Sequence, residues 1–354
     1  MLFRSKRQIP AISIAVIDDY RIVCAKGYGV TEKGGTAPVT PKTLFLAGSI
    51  SKPVAALGAL YLVEQGKLSL DEDVNVKLTT WKVPDNQYTR KRKVSLGLIL
   101  DHTAGFTGGD FFPGYAVGEP VPSLLQILDG RPPANNDAVH VGFTPGSKWH
   151  YSGDGYLVAQ QLMVDVTAKQ FPELMRVAVF DKLAMYDSTY EQPLPTGRTG
   201  FAAAGTLMDG SPVPGKWHVN PEMAAGGLWS TPSDLARLAI EVALSVQGKA
   251  NHVLSRDMTR KMLASQWEDG VINILGNQQD PDHMGYGFFV GRKTGRFGHI
   301  GGNVGYQATL VVFADSGKGA VVMTNSDIGL AVGNTLLNKI ARVYGWNYVT
   351  PPPP

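Results

Sequence analysis

The spacing of apolar and polar residues changes character several times along this chain, and each change predicts a different element. From Ile12 to Val16 large apolar residues alternate with small ones; Asp18-Asp19-Tyr20 interrupts, and Arg21–Tyr28 resumes an extended pattern. Period-two patterning around turn residues predicts a β-hairpin over residues 11–29. Thr31–Lys42, rich in Gly, Pro and Thr, predicts a loop. Leu44–Gln65 then brings a long Ala/Leu/Val segment that Gly66 closes, as a helix stopped by glycine would. Pro53 locates the start of that helix. A proline in a helix interior removes a hydrogen bond and clashes with the preceding turn, so it is tolerated in the first turn. Ser49 therefore lies at or beside the helix N-terminus.

Between residues 70 and 290 short helical patterns alternate with Gly/Pro-rich loops: Val94–Leu100, Ser123–Leu128, Gly155–Asp165, Pro172–Leu183, Thr231–Val246 and Ser255–Ser265. Tyr286–Gly291, Phe297–Gly301, Tyr306–Ala314 and Gly319–Asn325 then read as successive antiparallel strands, with Asp315-Ser316-Gly317 as the last turn and Leu330–Val343 as a closing helix. Strands at both chain ends with a mainly helical insertion predict an α+β fold with an antiparallel sheet drawn from both ends and flanked by helices. The expected division is a discontinuous sheet region, 1–68 plus 290–346, and a mainly helical region, 69–289. Residues 347–354 are expected to form a loose tail, because Pro351–Pro354 can join neither a ladder nor a helix.

Composition narrows the partners. The chain has 354 residues, 44% hydrophobic and 18% charged, enough apolar material for a sizeable core. A net charge of +3 is too small to imply nucleic acid, and Arg90-Lys91-Arg92-Lys93, without interleaved aromatics, reads as a solvated loop. Cys24 is the single cysteine, which excludes an intrachain disulfide and a Cys-based zinc site; its apolar surroundings predict a core position. The basic start Met-Leu-Phe-Arg-Ser-Lys-Arg is followed by no apolar run of signal-peptide length, and no segment is long and apolar enough to span a bilayer. As presented the chain is expected in the cytoplasm, or in the periplasm if its N-terminus is truncated. The oligomeric state is left open. The histidines show no zinc-ligand spacing, His102 reads as a loop residue, and Asp71-Glu72-Asp73 reads as a solvated loop; no metal or organic cofactor is expected.

Chemistry enters at Ser49-Ile50-Ser51-Lys52. Residues three apart share a helix face, so the serine Oγ and the lysine Nζ can meet. A serine hydroxyl is a weak nucleophile until a base takes its proton, and a lysine can be that base if its pKa is lowered. The free N–H groups of a helix start favour negative charge developing beside them. An isolated Ser-x-x-Lys arises often by chance; this one is unique in the chain and opens an apolar helix straight after a predicted strand.

Here the chain resembles a known family. Phe45-Leu46-Ala47-Gly48-Ser49-Ile50-Ser51-Lys52-Pro53 is similar to the nucleophile motif of the serine β-lactamases and penicillin-binding proteins. The likeness is to the branch that holds class C β-lactamases, D-alanyl-D-alanine carboxypeptidases, D-aminopeptidases and β-lactamase-like esterases. Leu98–Gly105, Pro145-Gly146 with Tyr151-Ser152-Gly153, and Ala225–Leu235 resemble the same branch in the same order. The resemblance implies the β-lactamase/transpeptidase-like fold, with Ser49 as nucleophile and Lys52 and Tyr151 as its proton carriers. It implies backbone N–H groups of Ser49 and Gly302 as the oxyanion hole. Two positions depart from the pattern. Gly153 stands where the family has an asparagine that helps hold a substrate amide carbonyl. His299-Ile300-Gly301 takes the place of the third motif, usually led by lysine, while the literal Lys293-Thr294-Gly295 falls in a predicted hairpin turn. His299, Gly301 and Gly153 are thus expected to border the substrate. These departures favour a carboxylesterase-like hydrolase of small-molecule esters. A β-lactamase or D-amino-acid peptidase and, from another class, a catalytically silent ligand-binding or interaction protein are the alternatives.

Overall fold

The computed structural model describes residues 9–346; the predicted proline tail and the basic N-terminal run lie outside the described residues. Strands β1 (Ala11–Asp18), β2 (Arg21–Gly29), β5 (His283–Met284), β6 (Phe289–Val290), β7 (Arg296–Asn303), β8 (Tyr306–Phe313) and β9 (Lys318–Thr324) form one antiparallel sheet in the order β2-β1-β9-β8-β7-β6-β5. Two short strands, β3 (Phe45–Leu46) and β4 (Trp229–Ser230), pair separately. The two chain ends meet where β1 pairs with β9, from Ile12 opposite Thr324 to Ile17 opposite Gly319. An antiparallel sheet drawn from both chain ends and flanked by helices is the α+β arrangement expected from the sequence.

β1 is buried over nearly its whole length because both sheet faces are covered. Ala11, Ala15 and Ile17 join the main core with helices α1 (Ser51–Glu64) and α5 (Pro232–Ser245). Ile12, Ile14 and Val16 pack with Val332, Leu337 and Ala341 of the closing helix α6 (Gly329–Val343). β2 is an edge strand, mostly exposed and carrying Arg21 and Lys26; charge on an edge discourages further pairing. Cys24 lies on it, half-buried rather than in the core.

Two divisions expected from sequence shift. β5 and α5 fall within the stretch read as the helical region and β6 straddles its end, yet both strands belong to the sheet and α5 packs on it. Tyr286–Gly291 is a strand only at Phe289–Val290. Gly287 takes φ +83°, outside extended geometry, with Pro53 Cα and Ala56 Cβ crowding the place of a Cβ. The brevity of β6 has a consequence for the site. It pairs with β7 only at Phe297 and Gly298, which opens the edge of β7 from His299 onward.

Candidate active site

Ser49 lies in a 3-10 turn, Gly48–Ile50, that runs directly into α1. Pro53 sits in the first turn of α1, where it breaks no helical bond. Ser51 fastens the turn: its hydroxyl donates to Gly48 O at 2.6 Å and accepts from Leu228 N at 3.0 Å. One turn on, Lys52 Nζ donates to Ser49 Oγ at 3.0 Å and to Ala225 O at 2.8 Å. Lys52 is 2% exposed, and Tyr151 and Tyr156 present ring faces with centroids 5.0 and 5.8 Å from its nitrogen. Burial lowers its pKa to about 7, the nearby charge of Asp110 opposing the shift. At neutral pH a large fraction of this amine is therefore unprotonated and can accept a proton.

Tyr151 precedes helix α3 (Gly153–Thr167) and its hydroxyl is hydrogen-bonded to Ser49. Burial raises its pKa; the bond with Ser49 counters this in part, and the charge of Asp110 adds to the rise. The phenol thus stays protonated through the physiological range. His102 underlies it, with ring centroids 4.5 Å apart. His102 is a loop residue, as expected, and its Nδ1 accepts from Ser152 N at 3.1 Å. Burial and the neighbouring Lys52 and His299 hold its pKa well below normal, so it meets Tyr151 as a neutral ring.

The open edge of β7 faces the Gly48–Ile50 turn. Gly48 has φ +53°, and a Cβ there would lie 2.3 Å from Gly302 N. A Cβ on Gly301 would lie 1.9 Å from Ala47 O and 2.9 Å from Ser49 N. Only residues without a Cβ allow the two backbones this approach. It brings the N–H groups of Ser49 and Gly302 to the same edge of the site.

His299 and Gly153 differ from their expected places. His299 is 1% exposed, its ring 5.0 Å from that of Phe289 and 6.2 Å from that of Tyr151. Burial drives its pKa to about 3, so it is neutral and supplies no positive charge. Gly153 is buried, not open to the groove; a Cβ there would meet Gly109 O and the Phe112 ring, each at 2.5 Å. The room an asparagine side chain would need is filled by the 107–112 loop. Lys293 lies in an exposed turn, as its composition predicts.

Three features were missed from sequence: the Ala225 carbonyl on Lys52, the neutral His102 ring under Tyr151, and the 107–112 loop over Gly153. Ala225 lies in α4 (Met223–Gly226), too short to show periodicity. Ala225–Leu235 was recognisable as a family segment, but nothing local ties it to a lysine 173 positions earlier. Among the described residues no cluster of His, Cys, Asp or Glu converges on a possible metal position, and no helix is long and apolar enough to cross a membrane.

A serine whose hydroxyl meets a buried lysine and a tyrosine, against two backbone N–H groups, is the arrangement of an acyl-transferring hydrolase. The family described as Beta-lactamase matches residues 2–343, and the chain belongs to this family of serine hydrolases. It is 24% identical over 342 residues to penicillin-binding protein 4 of Amycolatopsis lactamdurans, covering 95% of this chain and 86% of that protein. A putative D-alanyl-D-alanine carboxypeptidase of Salmonella typhimurium is 26% identical over 239 residues, 64% of this chain and 53% of that one. Among solved structures, the D-amino acid amidase of Ochrobactrum anthropi superposes with a TM-score of 0.75 at 20% identity, over 98% of this chain and 96% of that one. The octameric penicillin-binding protein homologue of Pyrococcus abyssi gives 0.75 at 23% identity, over 97% of this chain and 75% of that one. At such identities these structures establish the shared fold.

Proposed function

We propose that the protein hydrolyses small-molecule carboxylic esters through an acyl-enzyme on Ser49. The observation that carries this reading is the buried Lys52 amine, with a pKa near 7, in contact with the Ser49 hydroxyl. In the forward step Ser49 Oγ attacks the carbonyl carbon as its proton passes to the neutral Lys52 Nζ. The oxyanion lies against the N–H groups of Ser49 and Gly302. When the tetrahedral adduct collapses, Tyr151 gives its phenolic proton to the departing alkoxide and takes one from the Lys52 ammonium. The products are an alcohol and the Ser49 ester. Water then attacks that ester, losing its proton along the same path, and the carboxylic acid leaves as Ser49 regains its hydroxyl.

Two features favour an ester over an amide or β-lactam. With Phe112 and Gly109 over Gly153, no side-chain amide stands there to hold a substrate amide. With His299 neutral and buried, the third-motif position offers no cation to a substrate carboxylate. Intact-protein mass after a fluorophosphonate, and separately after penicillin, tests the reading. The expected result is a fluorophosphonate adduct that Ser49→Ala abolishes, rapid turnover of an aryl ester and no lasting penicilloyl adduct. A long-lived penicilloyl adduct would instead make this a penicillin-binding protein, rapid penicillin turnover a β-lactamase, and no adduct or turnover with any of these reagents a catalytically silent member.

A further inference from the structure

We infer that Gln160 is a positioning residue for the base: its side-chain amide holds the turn whose Ala225 carbonyl anchors Lys52, an inference that rests on the acyl-enzyme reading above. That turn is α4, a helix of a single turn. The first N–H groups of a helix have no partner within it and need one from outside. Glu222, the residue before α4, makes no side-chain cap bond. Gln160 supplies the cap across 64 positions of sequence, its Oε1 accepting from Ala224 N at 2.9 Å. From the other arm of the same amide, Nε2 donates to Pro221 O at 3.3 Å. A backbone carbonyl only accepts and an N–H only donates, so these two partners together call for an amide in this one orientation.

Gln160 lies on α3, about two turns beyond the start of the helix that follows Tyr151. It is 3% exposed and so acts through the turn rather than on a substrate. Other side chains hold the flanks of the turn. Gln192 accepts from Asn220 N at 3.1 Å and donates to Gly227 O at 2.7 Å, and Asn303 donates to Gly226 O at 3.1 Å. Gln160 reaches the part that matters for the base. Ala224 directly precedes Ala225, whose carbonyl accepts from Lys52 Nζ at 2.8 Å. Without the Gln160 amide, Ala224 N becomes a buried donor with no partner, a costly state that the turn relieves by opening towards water. Ala225 O then leaves its place on Lys52. One helix thus sets both proton carriers: α3 follows directly on Tyr151 and, through Gln160, fixes the carbonyl that holds the Lys52 amine against Ser49.

The next residue provides the control. Gln161 is also buried, but its Nε2 donates to Thr80 Oγ1 and Asp165 Oδ1, each at 2.8 Å, away from the turn. Gln160→Met and Gln161→Met therefore each remove a buried amide and two hydrogen bonds. The rate of fluorophosphonate labelling and kcat/KM for an aryl ester are expected to fall about tenfold or more in Gln160→Met, because small displacements of reacting groups are costly. Both should stay within about twofold in Gln161→Met. Gln160→Glu keeps the acceptor for Ala224 N; it is the milder variant and is expected to lie between wild type and Gln160→Met. The pH profile of kcat/KM gives a readout that lost stability alone would not move. A carbonyl on the Lys52 ammonium favours the charged form, so its withdrawal in Gln160→Met should move the Lys52 limb to lower pH by about one pH unit. Tyr151, Tyr156 and Asp110, the other groups that act on Lys52, are left in place. Burial also raises the Glu222 carboxyl to about 7, so the limb is compared again in a Glu222→Gln background, where the same displacement is expected. Wild-type labelling in either Gln160 variant, equal losses in Gln160→Met and Gln161→Met, or a limb that moves only while Glu222 is present would overturn the assignment. Each of these leaves the acyl-enzyme reading standing, whereas failure of the wild type to label defeats that reading itself.

Discussion

The two walls that flank Ser49 are built on opposite principles. On one side the Gly48–Ile50 turn meets the open edge of β7, backbone against backbone, with a glycine wherever a Cβ would collide. On the other side the 107–112 loop lies on Ser152–Asp154 and presents side chains, Phe112 inward and Asp110 outward. Backbone N–H groups can stabilise an oxyanion whatever acyl group is attached to it. Side chains on a loop decide which acyl group arrives. Chemistry and selectivity are thus separated in space, and substitutions in the two walls should fail differently.

The largest effect is expected in the backbone wall. Gly301→Ala places a methyl group 1.9 Å from Ala47 O, a clash between two backbones that no side-chain rotation relieves. Either β7 or the nucleophile's turn must move, and both N–H donors are disturbed. Loss of one such donor typically costs about 100- to 1,000-fold in rate, and at least that fall in kcat is expected for every ester, with the acyl-group ratio preserved. Overpacking of this kind destabilises by roughly 1–3 kcal/mol, so circular dichroism should still report a folded protein. Wild-type turnover in Gly301→Ala would show that this close approach does not position the donors.

The same contrast explains what could be read from sequence. The backbone wall leaves a mark at each contact, because close approach demands glycine, and Gly48 and Gly301 both lie inside recognisable motifs. Pro53 placed the serine within a turn of where it stands. The strands from both chain ends were legible because β1, β8 and β9 are extended and mainly apolar on both faces, while β7 is marked by its glycines. The loop wall leaves no periodic mark. Its position comes from bonds between residues 44 or more apart, such as Ser152 to Gly108. Gly153 looked from sequence like a missing grip on the substrate; in space it is the seat of Phe112. His299 reads as a substrate contact by its motif position, but its burial follows from Phe289 and Tyr151, which no local pattern reveals.

A smaller and graded effect should appear in the pH profile. Lys52 acts as base in its neutral form, and its pKa is lowered to about 7. kcat/KM should therefore rise with pH through about 7 and level off above it. Tyr151, raised by burial, and His299, lowered to about 3, place no further ionisation in that window. Asp110 is the influence that raises the Lys52 pKa, so Asp110→Asn should move the limb to lower pH for all esters together. Lys52→Arg should remove the limb, since arginine stays protonated, and reduce the rate by about 100-fold or more. A limb that persists unchanged in Lys52→Arg would assign the ionisation to another group.

The smallest effect is expected at the literal Lys-Thr-Gly. Lys293 projects from an exposed turn in which its backbone N–H, rather than its ammonium, donates to Asp280 Oδ1 at 3.0 Å. Thr294 donates its hydroxyl to the same carboxylate, and Gly295 takes φ +62° to complete the turn. From Gly295 to His299 the chain runs four residues along β7, about 13 Å at strand rise. The motif thus shapes the hairpin that launches β7 and stands apart from both walls. Lys293→Ala keeps every backbone bond of that turn. A surface change of this kind is worth within about 0.5 kcal/mol, so kcat/KM for any ester should stay within about twofold of wild type. A larger loss confined to carboxylate-bearing esters would mean that Lys293 reaches the substrate after all, and the contrast between the walls would have to be redrawn around it.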